Sequence, residues 1–125
     1  MAKILIVDDE PRIAMFLEKG LRKQNHEAAL AFGGRQALSM VLSQHFDLML
    51  LDLGLPEIDG FDVLKGLRVA NNTLPVVVIT ARGDTDCIRA IEFGADDCLQ
   101  KPFRFSELLL KVRRLLGEAV EPQAC

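Results

Sequence analysis

A chain of 125 residues, half of them hydrophobic and 26% charged, has the size and make-up of one folded domain, which disfavours both a two-domain arrangement and disorder. Fifteen Lys and Arg stand against 18 Asp and Glu, a net charge of -3, so direct nucleic-acid binding by this chain is not expected. No apolar run reaches the roughly 18 to 20 residues of a membrane span, which predicts a cytoplasmic protein without membrane contact. The three cysteines, Cys87, Cys98 and Cys125, are odd in number, lack CxxC spacing, and read as reduced thiols.

In chain order, Ile4 to Val7 is a short β-rich run ending at Asp8-Asp9-Glu10, and Pro11 suits the first turn of a helix. Ile13, Phe16, Leu17 and Leu21 give that helix one apolar face as far as Gln24. Glu27 to Ala31 is a weak second strand, Gly33-Gly34 a break, and Ala37, Leu38, Val41 and Leu42 mark a second helix ending near His45. Leu48 to Leu51 is continuously apolar and stops at Asp52, as a strand buried on both faces would. A turn-rich stretch from Gly54 to Gly60 leads to a third helix carrying Phe61, Val63, Leu64 and Leu67. Pro75 opens the β-branched run Val76 to Thr80, followed by a loop at Arg82-Gly83-Asp84 and a fourth helix with Ile88 and Ile91, stopped at Gly94. Cys98 to Gln100 is a brief fifth strand before Lys101-Pro102, and Leu108, Leu109, Val112, Leu115 and Leu116 stripe a fifth helix.

Five strands alternating with five helices through short connections predict an α/β fold: a doubly wound five-stranded parallel sheet covered by helices on both faces. Ligands of such sheets gather beyond the carboxyl ends of the strands. The strand-end residues are Asp8-Asp9, Asp52, Thr80 and Lys101. Three clustered carboxylates repel one another unless a cation neutralises them, and oxygen-only ligands suit Mg²⁺, which usually binds one or two carboxylates together with phosphate oxygens. Asp96-Asp97, at the exit of the fourth helix, is expected to form surface salt bridges or a turn, and His26 and His45 are expected to be structural.

Across residues 2 to 117 the sequence resembles the receiver domain of two-component response regulators. The resemblance rests on Val7-Asp8-Asp9-Glu10, Leu51-Asp52-Leu53 with Pro56 and Gly60, Ile79-Thr80-Ala81, Gly94-Ala95-Asp96-Asp97 and Lys101-Pro102-Phe103. The last two motifs, with Glu107-Leu108-Leu109, look most like the winged-helix (OmpR/PhoB-like) subfamily, although none of the 125 residues is expected to form the DNA-binding domain. The resemblance implies a flavodoxin-like strand order 2-1-3-4-5 and a receiver domain over residues 1–117; residues 118–125, without apolar periodicity, are expected to be a C-terminal tail or linker stub. It implies Asp52 as phosphoacceptor, Mg²⁺ held by Asp8, Asp9, Asp52 and the main-chain carbonyl of Gly54, and Lys101 and Thr80 on the phosphoryl oxygens. It further implies a cis Lys101-Pro102 peptide.

The implied function is a signalling switch without substrate turnover beyond slow self-catalysed phosphorylation and dephosphorylation. The donor would be a histidine kinase or phosphotransfer protein, and the output a change in the surface of the fourth helix, fifth strand and fifth helix. That switch would be the regulatory part of a DNA-binding transcriptional regulator, or alternatively a stand-alone receiver or phosphorelay protein. A homodimer through the fourth and fifth helices fits the same resemblance. A phosphatase with an aspartyl-phosphate intermediate would want an acid where Gly54 stands, and a flavodoxin-like cofactor binder would not place Asp8-Asp9-Glu10 at its phosphate loop. Two positions depart from the family pattern: Cys98 replaces the usual aromatic of the switch, and Cys87 replaces a basic partner for Glu107.

Overall fold

The computed structural model describes residues 1–118. Ten elements alternate in chain order: β1 (Lys3–Val7), α1 (Pro11–Lys23), β2 (Glu27–Ala31), α2 (Gly34–Ser43), β3 (Leu48–Asp52), α3 (Gly60–Val69), β4 (Val76–Thr80), α4 (Asp84–Glu92), β5 (Asp97–Gln100) and α5 (Phe105–Leu115). The strands form one parallel sheet in the order β2-β1-β3-β4-β5, the doubly wound arrangement that the alternation and the family resemblance imply.

Every residue of β3 and β4 is buried, which is why both read as unbroken apolar runs rather than alternating ones. Side chains along a strand still point alternately to the two faces. Met49 and Leu51 of β3, with Val76 and Val78 of β4, join a core closed by Val41 of α2, Val63, Leu64 and Leu67 of α3 and Ala90 of α4. Leu48, Leu50, Val77 and Ile79 face a second core closed by Leu17 and Leu21 of α1 and by Leu108 and Val112 of α5. Burying each such large aliphatic side chain stabilises the fold by roughly 1.5–3 kcal/mol relative to exposure, so the sheet is pinned from both sides.

Local chemistry sets the helix starts. Pro11 opens α1, and the Asp59 carboxylate caps α3 by accepting from the Asp62 amide at 3.0 Å. Glu107 accepts from the Arg104 amide at 3.3 Å at the start of α5. Asp96 and Asp97 form the ion pairs expected of them, Asp96 with Arg68 at 3.2 Å and Asp97 with Lys111 at 2.9 Å, although Asp97 is already the first residue of β5.

The reading of all three cysteines as reduced thiols is corrected. Cys87 and Cys98 form a disulfide, their Cα atoms 5.5 Å apart. They lie eleven positions apart in sequence, and only the return of the chain from α4 into the neighbouring strand β5 brings them together. Cys125, and all but the first residue of the tail expected over 118–125, lie outside the described residues.

Candidate functional site

Strand register levels the site residues. Val7 pairs with Leu51 across β1 and β3, so Asp8 and Asp52 leave adjacent strands side by side. Thr80 pairs with Gln100 across β4 and β5, so Lys101 begins one residue beyond, where its amide donates to the Thr80 carbonyl at 2.8 Å. The Asp8 amide donates to the Ala31 carbonyl at 3.0 Å and that of Leu53 to Ile79 at 3.2 Å, continuing the ladder to the sheet edge. Parallel pairing thus delivers four strand ends to one place.

Asp8 and Asp52 are buried, with 1% and 7% of their surface exposed, while Asp9 is exposed beside them. One carboxylate oxygen from each of Asp8, Asp9 and Asp52 lies within 4.8 Å of the others. The Lys101 ammonium stands 3.4 Å from Asp52 Oδ2 and 3.7 Å from Asp8 Oδ2, bridging the two buried carboxylates. Asp52 Oδ1 accepts from the Gly54 amide at 3.1 Å, and Asp8 Oδ1 from the Glu10 amide at 2.9 Å. The Lys101-Pro102 peptide is cis.

Three carboxylates face one ammonium, and Asp8 shows the consequence. Its carboxyl is pushed above the usual aspartate range, first by burial and then by the charges of Asp52 and Asp9; the Glu10 amide and Lys101 oppose the rise without cancelling it. Asp8 Oδ2 is buried without a hydrogen-bond partner. A buried carboxylate oxygen without a hydrogen-bond partner, beside two more carboxylates within ligand reach, is what a hard cation satisfies, so this donor set can hold a metal ion.

The structure therefore gathers Asp8, Asp9, Asp52, Gly54 and Lys101. Thr80, 1% exposed, stands at the end of β4 with its hydroxyl accepting from the Arg82 amide at 3.0 Å. Gly60 adds a feature that its reading as a turn former did not contain. A β-carbon there would lie 2.6 Å from Leu53 Cα and 2.7 Å from the Asp52 carbonyl, so α3 seats directly on the backbone that carries Asp52. Only the tertiary approach of α3 to β3 reveals that constraint.

A family model described as the response regulator receiver domain matches residues 4–113. The response regulator ArlR of Staphylococcus saprophyticus is 42% identical over 117 residues, which are 93% of this chain and 53% of the relative. ArlR of Staphylococcus aureus is 40% identical over the same shares. The chain thus spans about half the length of these curated relatives. Among solved structures, the receiver domain of the Francisella response regulator 1452 superposes with a TM-score of 0.90 at 31% identity, covering 94% of this chain and 98% of that one. The response regulator TrrA of Thermotoga maritima, solved in complex with Mg²⁺-BeF, gives a TM-score of 0.84 at 33% identity, covering 92% and 99%.

Proposed function

Because the chain belongs to the response regulator receiver domain family, a signalling family, we propose that it is a phosphorylation-controlled switch with Asp52 as the phosphoacceptor. One observation carries this reading: a buried carboxylate at the end of a central strand, held 3.4 Å from Lys101 and beside the orphaned oxygen of Asp8.

The partner is a histidine kinase or phosphotransfer protein. An Asp52 oxygen attacks the phosphorus of its phosphohistidine, an O–P bond forms as the P–N bond breaks, and the electron pair returns to the imidazole nitrogen. Asp8, Asp9, Asp52 and the Gly54 carbonyl are the residues that would hold Mg²⁺. Bound there, Mg²⁺ supplies the positive charge that neutralises the transferring phosphoryl oxygens. Lys101 exchanges its contact with the Asp52 carboxylate for one with the phosphoryl group, acting as a point charge. Thr80 releases the Arg82 amide and donates its hydroxyl to another phosphoryl oxygen, drawing the loop from Ala81 inward.

Residues 1–117 constitute this unit, which works in the cytoplasm and catalyses nothing beyond slow gain and loss of its own phosphoryl group. Among the described residues no helix is long and apolar enough to cross a membrane. Its output is a change at α4, β5 and α5, where Ile88 and Ile91 are exposed on α4 and offer an apolar contact for a second copy. Similarity to ArlR favours the regulatory part of a longer regulator over a stand-alone receiver.

Incubation with acetyl phosphate and Mg²⁺ tests the assignment. Mass spectrometry should place the phosphoryl group on Asp52, Asp52→Asn should abolish labelling, and Lys101→Ala should be labelled but lose the accompanying change at α4. A label on Ser106 or elsewhere overturns the reading.

A further inference from the structure

We propose that Cys87 and Cys98 are a reversible redox pair whose disulfide clamps α4 to β5 and gives the switch a second, thiol-dependent input. The coupling to phosphorylation and the reducing compartment rest on the function proposed above; the pairing of the two sulfurs does not. Cys98 pairs in register with Val78, two residues before Thr80 pairs with Gln100, and it packs against the core beneath α4. Side-chain alternation therefore puts Cys98 and Thr80 on the same face of the sheet, one strand apart. Cys87 reaches that face from the first half of α4, where Gln100 also contacts Asp84. The disulfide is thus the covalent link between the strand neighbouring Thr80 and the helix whose position reports phosphorylation.

Both cysteines are only half-buried, so reagents can reach them. In a reducing compartment a disulfide is characteristically transient and redox-sensing rather than a permanent staple. The oxidant is a low-molecular-weight disulfide such as oxidised glutathione. One cysteine thiolate attacks it, forming a mixed disulfide and expelling one small thiolate. The second cysteine thiolate then attacks the protein sulfur of the mixed disulfide and expels the other. Two protein thiols and one small disulfide become one protein disulfide and two small thiols, two electrons passing from the cysteine sulfurs to the glutathione sulfurs. A ligand shifts an equilibrium only as far as it distinguishes two states. With α4 tied to β5, states in which the helix moves away are penalised, and the phosphoryl group has less to select.

The test uses the 125-residue chain carrying Cys125→Ser, equilibrated in glutathione buffers of graded ratio and then alkylated. Mass spectrometry should find a Cys87–Cys98 cross-linked peptide that disappears reversibly as reduced glutathione rises; free thiols throughout, or cross-linking between molecules only, overturn the pair. Hydrogen exchange across 84–92 is then followed with and without Mg²⁺ and beryllofluoride. Reduced protein should change exchange at least about 5-fold and oxidised protein less than about 2-fold, while Cys98→Ser behaves as the reduced form under both conditions. Equal responses in both redox forms overturn the clamp. Absence of response in either form counts against the phosphoreceiver reading instead, and the cross-linked peptide then decides the redox pair.

Discussion

Asp8 is the residue on which the site's electrostatic tension falls, because it is the most buried of the three carboxylates and its Oδ2 has no hydrogen-bond partner, only the Lys101 ammonium 3.7 Å away. Its carboxyl titrates above the usual aspartate range in the fold but near pH 4 in the unfolded chain. Folding therefore favours the protonated form, and the stability present below about pH 4 is lost as pH rises through the raised value. In the presence of a chelator, Asp8→Asn should remove that loss. Its amide oxygen can still accept from the Glu10 amide, and we expect about 1–3 kcal/mol more stability at pH 7 in urea unfolding, with no gain at pH 3. A variant as unstable as wild type at pH 7 would show that the carboxylate is not strained. The acidic cluster was legible in the sequence because each member ends an apolar run. The burial that separates Asp8 from Asp9 was not, since adjacent residues at a strand end differ only in which way the backbone turns them.

Helix α3 meets the rest of the fold through two residues, one at each end, whose roles composition conceals. Arg68, on the last turn of α3, donates to the carbonyls of Asn72 and Leu74 at 2.8 and 2.9 Å and to that of Gly94 at 2.7 and 3.0 Å, besides pairing with Asp96. It staples the starts of β4 and β5, at the sheet edge opposite Asp52. A lysine keeps the charge but not the planar fork, so Arg68→Lys should cost about 1–3 kcal/mol of stability while leaving acetyl phosphate labelling of Asp52 intact. Loss of labelling in a folded Arg68→Lys would contradict that separation of edges. Gly60 behaves oppositely. Even one methyl group must push α3 off the Asp52–Leu53 backbone, so Gly60→Ala should lower stability by about 1–3 kcal/mol and also slow labelling. The cysteine pair belongs to the same class of features. Strand and helix limits could be read from apolar runs and breakers, and they agree with the structure to within a few residues. What crosses from one element to another, such as Cys87 to Cys98 or Arg68 to Gly94, has no periodic signature.

For the whole molecule, alternation of elements predicts parallel strands, and parallel strands force every carboxyl end to one edge; the fold and the place of the site therefore share one origin. The order β2-β1-β3-β4-β5 required the family resemblance, because alternation alone does not say which strand turns back. This architecture has a thermodynamic consequence. Asp8 and Asp9 lie more than forty positions from Asp52 in the chain, so the three carboxylates converge only in the folded state. A divalent cation binding there stabilises the fold by mass action, by about 1.4 kcal/mol at ten times its dissociation constant. For a chain of this length that is a rise in melting temperature of roughly 3–6 °C. We expect melting temperature to climb with Mg²⁺ over the millimolar range at constant ionic strength. Asp52→Asn should melt higher than wild type without metal, since one repelling charge is gone, and should respond less when metal is added. The two effects have opposite signs, which separates local charge relief from general screening. Sodium chloride at matched ionic strength should reproduce neither the slope with Mg²⁺ nor its dependence on Asp9. A melting temperature indifferent to Mg²⁺ in wild type, or equally responsive in Asp9→Asn, would remove the metal from this site.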